Sequence, residues 1–460
     1  MAPPQFKASP EGCSTISTTF PQRLRLALAN PRLQAALLAL AALPPGFLYF
    51  HACYVTPFFD SSSDWTVYIR AAGKLTAQQS PYPAAGYPPD LPVSFSGTYI
   101  YPPLWAWLLQ PVAHLSRFGQ ALVVCVGSQL LIWGFVILVV TALRIQGRRA
   151  RFGTALLLLS VFLAMPASNI GFLLLFLTGL WFFACSRGRA WGYLPLGFSI
   201  GLKLIAAPYL LLPLVQRKWN RLFLAFAAVG ATLLVGVQFI PEYVFRVLPP
   251  MATSTADIRN SSFAAILTRS LHPAILVAPA DRSFLDVKLL TLAFGLAVVA
   301  ITALAIRGSV TDPRVGALDA AAVICLASLL APVLFASHLS PIVLVLVVLG
   351  AHAIRQKRRG TLLATIGLVI IWLTTDRVEV ALGSPSEATR LLFEVLASLY
   401  FVLAFVSWGL CLYERWKIVA LPAPAGSPFN EVPPKPFRVL PAPRIRFSGV
   451  ARAEIPASTY

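Results

Sequence analysis

Apolar runs dominate this chain. Between positions 35 and 413, roughly a dozen segments of about 15–24 residues are nearly free of charge, long enough to cross a bilayer. Polar and apolar residues do not alternate within them, so membrane-barrel strands are excluded. Backbone groups in lipid must be satisfied within their own segment, which leaves helices. The pattern predicts an all-α, polytopic transmembrane protein with about 12 crossings and two long loops on one side. The predicted spans are 33–52, 120–143, 153–166, 170–185, 222–240, 287–307, 316–334, 339–354, 361–375 and 391–413. The run 192–215 is broken by Gly201, Lys203 and Pro208 and reads as a hairpin of two short helices. The run 99–115 opens with Tyr101-Pro102-Pro103 and reads as a re-entrant or partial span.

The loops between the runs alternate in character. One set carries basic clusters: Arg144, Arg148, Arg149 and Arg151; Arg187 and Arg189; Arg217, Lys218 and Arg221; Arg307 and Arg314; and Arg355, Lys357, Arg358 and Arg359. Lys and Arg in short loops mark the cytoplasmic side. Both termini fall on that side. The other set comprises 53–100, 241–286 and the turns near 337–338 and 376–390. It carries most of the acids and faces outward across a plasma (inner) membrane. The hydrophobic run near the N-terminus lacks a small-residue cleavage site and reads as a retained span.

Composition agrees. The chain is 57% hydrophobic and 12% charged, against about 25% charged in soluble domains. A net charge of +20 spread as loop clusters points to membrane orientation rather than nucleic acid. The six cysteines show no CxxC or His/Cys spacing, so no metal and no cofactor are expected. The organisation reads as a cytoplasmic segment 1–32, a transmembrane domain 33–413, and a Pro-rich basic tail 414–460 that is disordered and cytoplasmic and can touch anionic lipid headgroups.

Chemistry concentrates in the outward set. Asp60 and Asp64 lie just past the first span among aromatics. Asp64 precedes a helix-like stretch and is compatible with a plain helix cap; the alternative is a general base acting on a hydroxyl. Lys203 is a lone cation in an apolar hairpin. It reads either as a lysine reaching for the headgroups or as a site for an anion. His338, at a span end, carries the same choice. Asn260, Arg259 and Arg269 add an amide and two cations, which a polar loop also carries by chance. Together these residues fall on one side, where a carboxylate can deprotonate an acceptor while cations stabilise a departing lipid phosphate.

The ordered set Asp64-x-x-x-Tyr68, Pro81-Tyr82, Tyr101-Pro102-Pro103, Asn169, Gly201-Leu-Lys203, Asn260-Ser261-Ser262 with Arg269, and Ala331-Pro332 leading to His338 resembles glycosyltransferase family 87. That family comprises GT-C-class integral-membrane enzymes using polyprenyl-phosphate-linked sugars, among them α-1,2-mannosyltransferases. The resemblance covers about residues 45–355. It implies Asp64 as base, with Asp60 the alternative, and Lys203, His338, Arg269 and Arg259 on the donor phosphate. It places Tyr68, Tyr82, Tyr101, Asn169 and Asn260 about the substrates. The chain departs from the family at Asn169-Ile-Gly-Phe, at the Leu after Lys203, and at Phe335.

The expected activity is transfer of a hexose, mannose first, from a polyprenyl-phosphate carrier to a glycan or glycolipid hydroxyl at the outer face. Another hexose and an arabinofuranosyl unit are the alternative donors. The expected partners are that donor, the acceptor and membrane lipids, with no nucleic acid. The rival reading is a transporter or lipid-linked-sugar flippase, whose signature is broken helices with polar groups at the bilayer midplane.

Overall fold

The computed structural model describes residues 30–55, 64–82, 99–160, 170–249, 260–272, 284–308, 312–334, 336–382 and 390–420. Asp60, Arg259, Asn169 and the Pro-rich part of the tail lie outside them. Among the described residues the fold is helical, with no strand. The chain divides into two units, Met1–Lys417 and Ile418–Tyr460, and the packing below belongs to the first. Among the described residues, four helices are long and apolar enough to cross a membrane, five if one bent pair counts as a span. Four shorter apolar helices accompany them: Gly171–Ser186, Leu204–Val215, Ile342–Arg355 and Arg359–Thr375.

In chain order the elements are α1 (Pro31–Tyr54), α2 (Asp64–Thr76), α3 (Pro103–Leu108), α4 (Gln110–Ala113), α5 (Arg117–Ala142), α6 (Arg148–Leu159), α7 (Gly171–Ser186), α8 (Tyr193–Leu202), α9 (Leu211–Val215) and α10 (Trp219–Leu234). Then come α11 (Phe263–Leu271), α12 (Leu285–Ile306), α13 (Pro313–Leu330), α14 (Ile342–Arg355), α15 (Arg359–Leu382) and α16 (Arg390–Ala420). Helix α13 is buried along nearly its whole length, as is the first half of α14. A helix apolar all round belongs in the centre of a bundle. Around them, α5, α10 and α12 expose Leu130, Ile137, Phe223, Leu234, Leu292 and Leu296. Large apolar side chains facing outward are what a lipid-facing surface requires.

Three local features position the site. First, the hairpin expected over 192–215 breaks at Lys203, whose backbone is extended at φ −157° and ψ 122°. A 3-10 turn, Leu204–Leu210, follows. Pro208 lies inside that turn, lacks an N–H and would clash with a carbonyl four residues back in an α-helix, so the tighter helix is favoured. Second, α8 packs closely on α10 through Gly197 and Gly201. A Cβ on Gly197 would collide with the Ala225 carbonyl oxygen, and one on Gly201 with the Thr232 hydroxyl. This is a small-xxx-small contact that lets backbones approach. Third, the span expected over 222–240 ends at Leu234. The chain turns by 88° into a helical arm, Val237–Val247. Gly236, at φ +72°, makes the turn in the left-handed region and sits against Pro103.

The ends of α5, α7, α9 and α14 share one terminator. Arg144, Gly188, Arg217 and Lys357 adopt φ of +49°, +68°, +53° and +53°. In each case the next N–H reaches back to a carbonyl five residues earlier: Ile145 to Val140, Arg189 to Ala184, Lys218 to Pro213, Arg358 to Ala353. Arg221 donates to the Gly188 carbonyl at 3.0 Å, and Arg355 donates to the carbonyls of Leu143 and Arg144. Part of the basic charge read as membrane orientation therefore also caps helix C-termini, where cations are favoured.

Candidate active site

The site is built on the break at Lys203. Its ammonium donates to Nε2 of His338 at 2.9 Å. His338 lies in the 3-10 turn Ala336–Leu339 between α13 and α14. Its Nδ1 is 3.0 Å from the Val333 carbonyl oxygen. A carbonyl accepts and an ammonium donates, so this network assigns the proton to Nδ1 and leaves Nε2 as a lone-pair acceptor. Two residues 135 apart in sequence thus meet.

Beneath Lys203 lies an aromatic cluster. The Lys203 Nζ stands 5.3 Å from the centre of the Tyr101 ring, a cation–π contact. Tyr68 meets Tyr101 edge-on at 5.4 Å and Trp105 at 5.8 Å. Tyr82 donates its hydroxyl to the Tyr101 carbonyl at 2.9 Å. Tyr99 donates to the Pro102 carbonyl and accepts from the Ala106 N–H, fixing the start of α3. These rings are buried. Tyr68, Tyr82 and Tyr101, expected to shape the substrate sites, form a packed wall in which Tyr101 presents its face to Lys203.

Helix α2 brings Asp64 to this wall. Its apolar residues Trp65, Tyr68, Ala72 and Leu75 are spaced three and four apart and are buried, the stripe that seats an amphipathic helix. Asp64 opens the helix and is exposed. Its negative charge acts on both the Lys203 ammonium and the Tyr68 hydroxyl.

Asn260 and Arg269 are brought near the site through contacts with the backbone. Asn260 is fully buried. Its Oδ1 accepts from the N–H groups of Ser262 at 3.0 Å and Leu334 at 2.9 Å. Arg269, also buried, donates to the Asn260 carbonyl at 2.9 Å. These contacts organise backbone.

Sequence reasoning passed over Glu242 and Tyr243. The Ser80 hydroxyl donates to Glu242 at 2.6 Å, and Tyr243 stacks on Tyr82 at 6.1 Å. Tyr243 opens a π-helical turn, Tyr243–Val247, a form frequent at functional sites and without a single-sequence signal. Trp105 was likewise missed, although its place two residues after Pro103 hinted at it.

An apolar groove of about 620 Å³ lies beside the cluster, lined by residues that include Leu104, Trp107, Phe198, Ala231, Thr232 and Val235. That volume suits a small-ligand site. The groove runs between α3, α8 and α10, and its Thr232 abuts Gly201 on α8. Among the described residues no group of His, Cys, Asp and Glu could hold a metal ion.

The fold and site define an all-helical protein with membrane-spanning helices and a carboxylate, an ammonium and an aromatic wall gathered where helices end. The chain belongs to glycosyltransferase family 87, whose model matches residues 99–332, just over half of its length. The match contains Tyr101, Lys203, Asn260 and Arg269, and is flanked by Asp64 and His338. The chain is also 29% identical over 180 residues to an alpha-(1->3)-arabinofuranosyltransferase of Corynebacterium glutamicum, covering 36% of this chain and 42% of the relative. It thus spans under half the length of that curated relative.

Proposed function

We propose that this protein is a membrane glycosyltransferase that moves a sugar from a polyprenyl-phosphate carrier to a glycan or glycolipid hydroxyl at the outer face. One observation carries the reading. Lys203 is held at a helix break by His338 and feels the charge of Asp64, and the helix that leads to the break, α8, also lines an apolar groove. A lipid-linked phosphate needs those surroundings: a cation for its head and an apolar channel for its chain.

In the proposed step the acceptor hydroxyl oxygen attacks the anomeric carbon. The bond from that carbon to the phosphate oxygen breaks, and its electron pair leaves with the polyprenyl phosphate. Asp64 takes the hydroxyl proton. Direct displacement turns a β-linked donor into an α-linked product. Lys203 faces the phosphate, whose negative charge grows as the bond breaks, so its attraction is greater in the transition state than in the ground state.

Mannose is the sugar that the family resemblance brings first. The relative's arabinofuranosyl activity supports an arabinofuranosyl donor as the second reading. Purified protein in liposomes, given radiolabelled polyprenyl-phosphate-mannose or polyprenyl-phosphate-arabinofuranose with a membrane glycolipid extract, should transfer label from one donor and not the other. Transfer from neither, with intact inserted protein, would count against the reading.

A further inference from the structure

We infer that His338 is a positioning residue, holding Lys203 as a neutral hydrogen-bond acceptor rather than binding the donor phosphate as a cation, and that Asn260 and Arg269 hold the backbone that fixes His338. The inference rests on the role proposed for Lys203 and adds how that role is maintained.

The geometry runs through one chain of contacts. Arg269 donates to the carbonyl of Asn260 at 2.9 Å. The Asn260 side chain accepts from the Leu334 N–H at 2.9 Å, while the Ser261 N–H donates to the Leu334 carbonyl at 2.8 Å. Leu334 is thereby tied on both its backbone groups. Its neighbour Val333 presents the carbonyl that receives Nδ1–H of His338 at 3.0 Å. With that proton placed, Nε2 faces the Lys203 ammonium at 2.9 Å as an acceptor. Protonation of Nε2 would replace this bond with two cations in contact. An ammonium has three N–H groups, so the bond to His338 orients Lys203 and leaves two to other partners. Asn260, Ser261 and Arg269 are all buried, which suits groups that shape backbone better than groups that meet a lipid phosphate.

The two roles predict opposite outcomes for paired substitutions. His338→Gln keeps a neutral acceptor, whereas His338→Lys keeps a cation and removes the acceptor. Turnover and KM would be measured on monodisperse protein with both polyprenyl-phosphate sugars as donors. His338→Gln should stay within a few-fold of wild type in kcat. His338→Lys should lose about 10²-fold in kcat, the scale of a misplacement near 1 Å. Retained turnover in His338→Lys, with or without loss in His338→Gln, would overturn the inference.

If both variants lose activity, Asn260 decides. Asn260→Asp keeps the oxygen that accepts the two backbone N–H groups, and Asn260→Ala removes it. Activity in Asp and loss in Ala supports the inference, and any other pattern overturns it. Lys203→Ala separates this test from the underlying reading: wild-type turnover there would remove the phosphate site itself, whatever the His338 pair shows.

Discussion

Lys203 is the residue on which the site turns. It was legible in the sequence because a lone cation in an apolar run stands out, and the break at Pro208 and Gly201 marked where it would sit. Its partner His338 was legible for the same reason, but its role was not. Sequence gives a residue's type and approximate depth, while the Val333 carbonyl that fixes its tautomer is a tertiary contact. Asn260 and Arg269 show the same boundary. A polar residue near a site can point into substrate or into backbone, and only the packed structure distinguishes the two. A prediction follows at this scale. Lys203→Ala should lower kcat at saturating donor by about 10²–10³-fold, the usual cost of removing one group that stabilises developing charge. A rise in KM with unchanged kcat would mean that Lys203 binds ground state and transition state alike.

At the scale of elements, the helix contact behind Lys203 matters most. Most helices fell near their expected runs because long apolar segments have strong boundaries where charge begins. Gly201 reads in the sequence as an interruption, since its partner surface on α10 is a tertiary contact. Gly197→Ala should destabilise the protein by about 1–3 kcal/mol, because the added Cβ meets a backbone carbonyl that cannot yield. Gly73→Ala on α2 is the control: nothing lies within 4 Å of that Cβ, and removal of a helical glycine should stabilise by about 0.5–1 kcal/mol. Thermal unfolding in detergent measures both, and equal shifts would contradict the packing. The arm after Gly236 is the element that sequence misjudged. A left-handed glycine turned an apparent span by 88°, and the π-helical turn beyond it brought Tyr243 onto Tyr82.

At the scale of the whole molecule, buried charge ties the C-terminal helices together away from Lys203. Arg415 on α16 donates to Asp319 on α13, which also accepts from Gln216 at 3.0 Å. The adjacent Glu414 accepts from Thr361 on α15 and pairs with His352 on α14 at 3.2 Å. Asp319 and Arg415 are both buried, so removal of one partner strands the other. Arg415→Leu should cost about 3–5 kcal/mol, and Arg415→Leu with Asp319→Leu should recover much of that loss. A double variant no more stable than the single would show that the pair is not the source. Orientation is testable at the same scale. A cysteine placed at Ser80 should react with an impermeant thiol reagent in intact cells and one at Gly360 should not; the reverse would overturn the threading.

In the proposed reaction Asp64 removes the acceptor proton in transfer from a polyprenyl-phosphate sugar. The most direct test is the single-turnover rate of transfer from that donor by wild type, Asp64→Asn and Asp60→Asn in matched liposomes. Asp64→Asn should lose about 10²–10⁴-fold, the usual cost of removing a general base, and Asp60→Asn much less. Wild-type transfer by folded, membrane-inserted Asp64→Asn would contradict it.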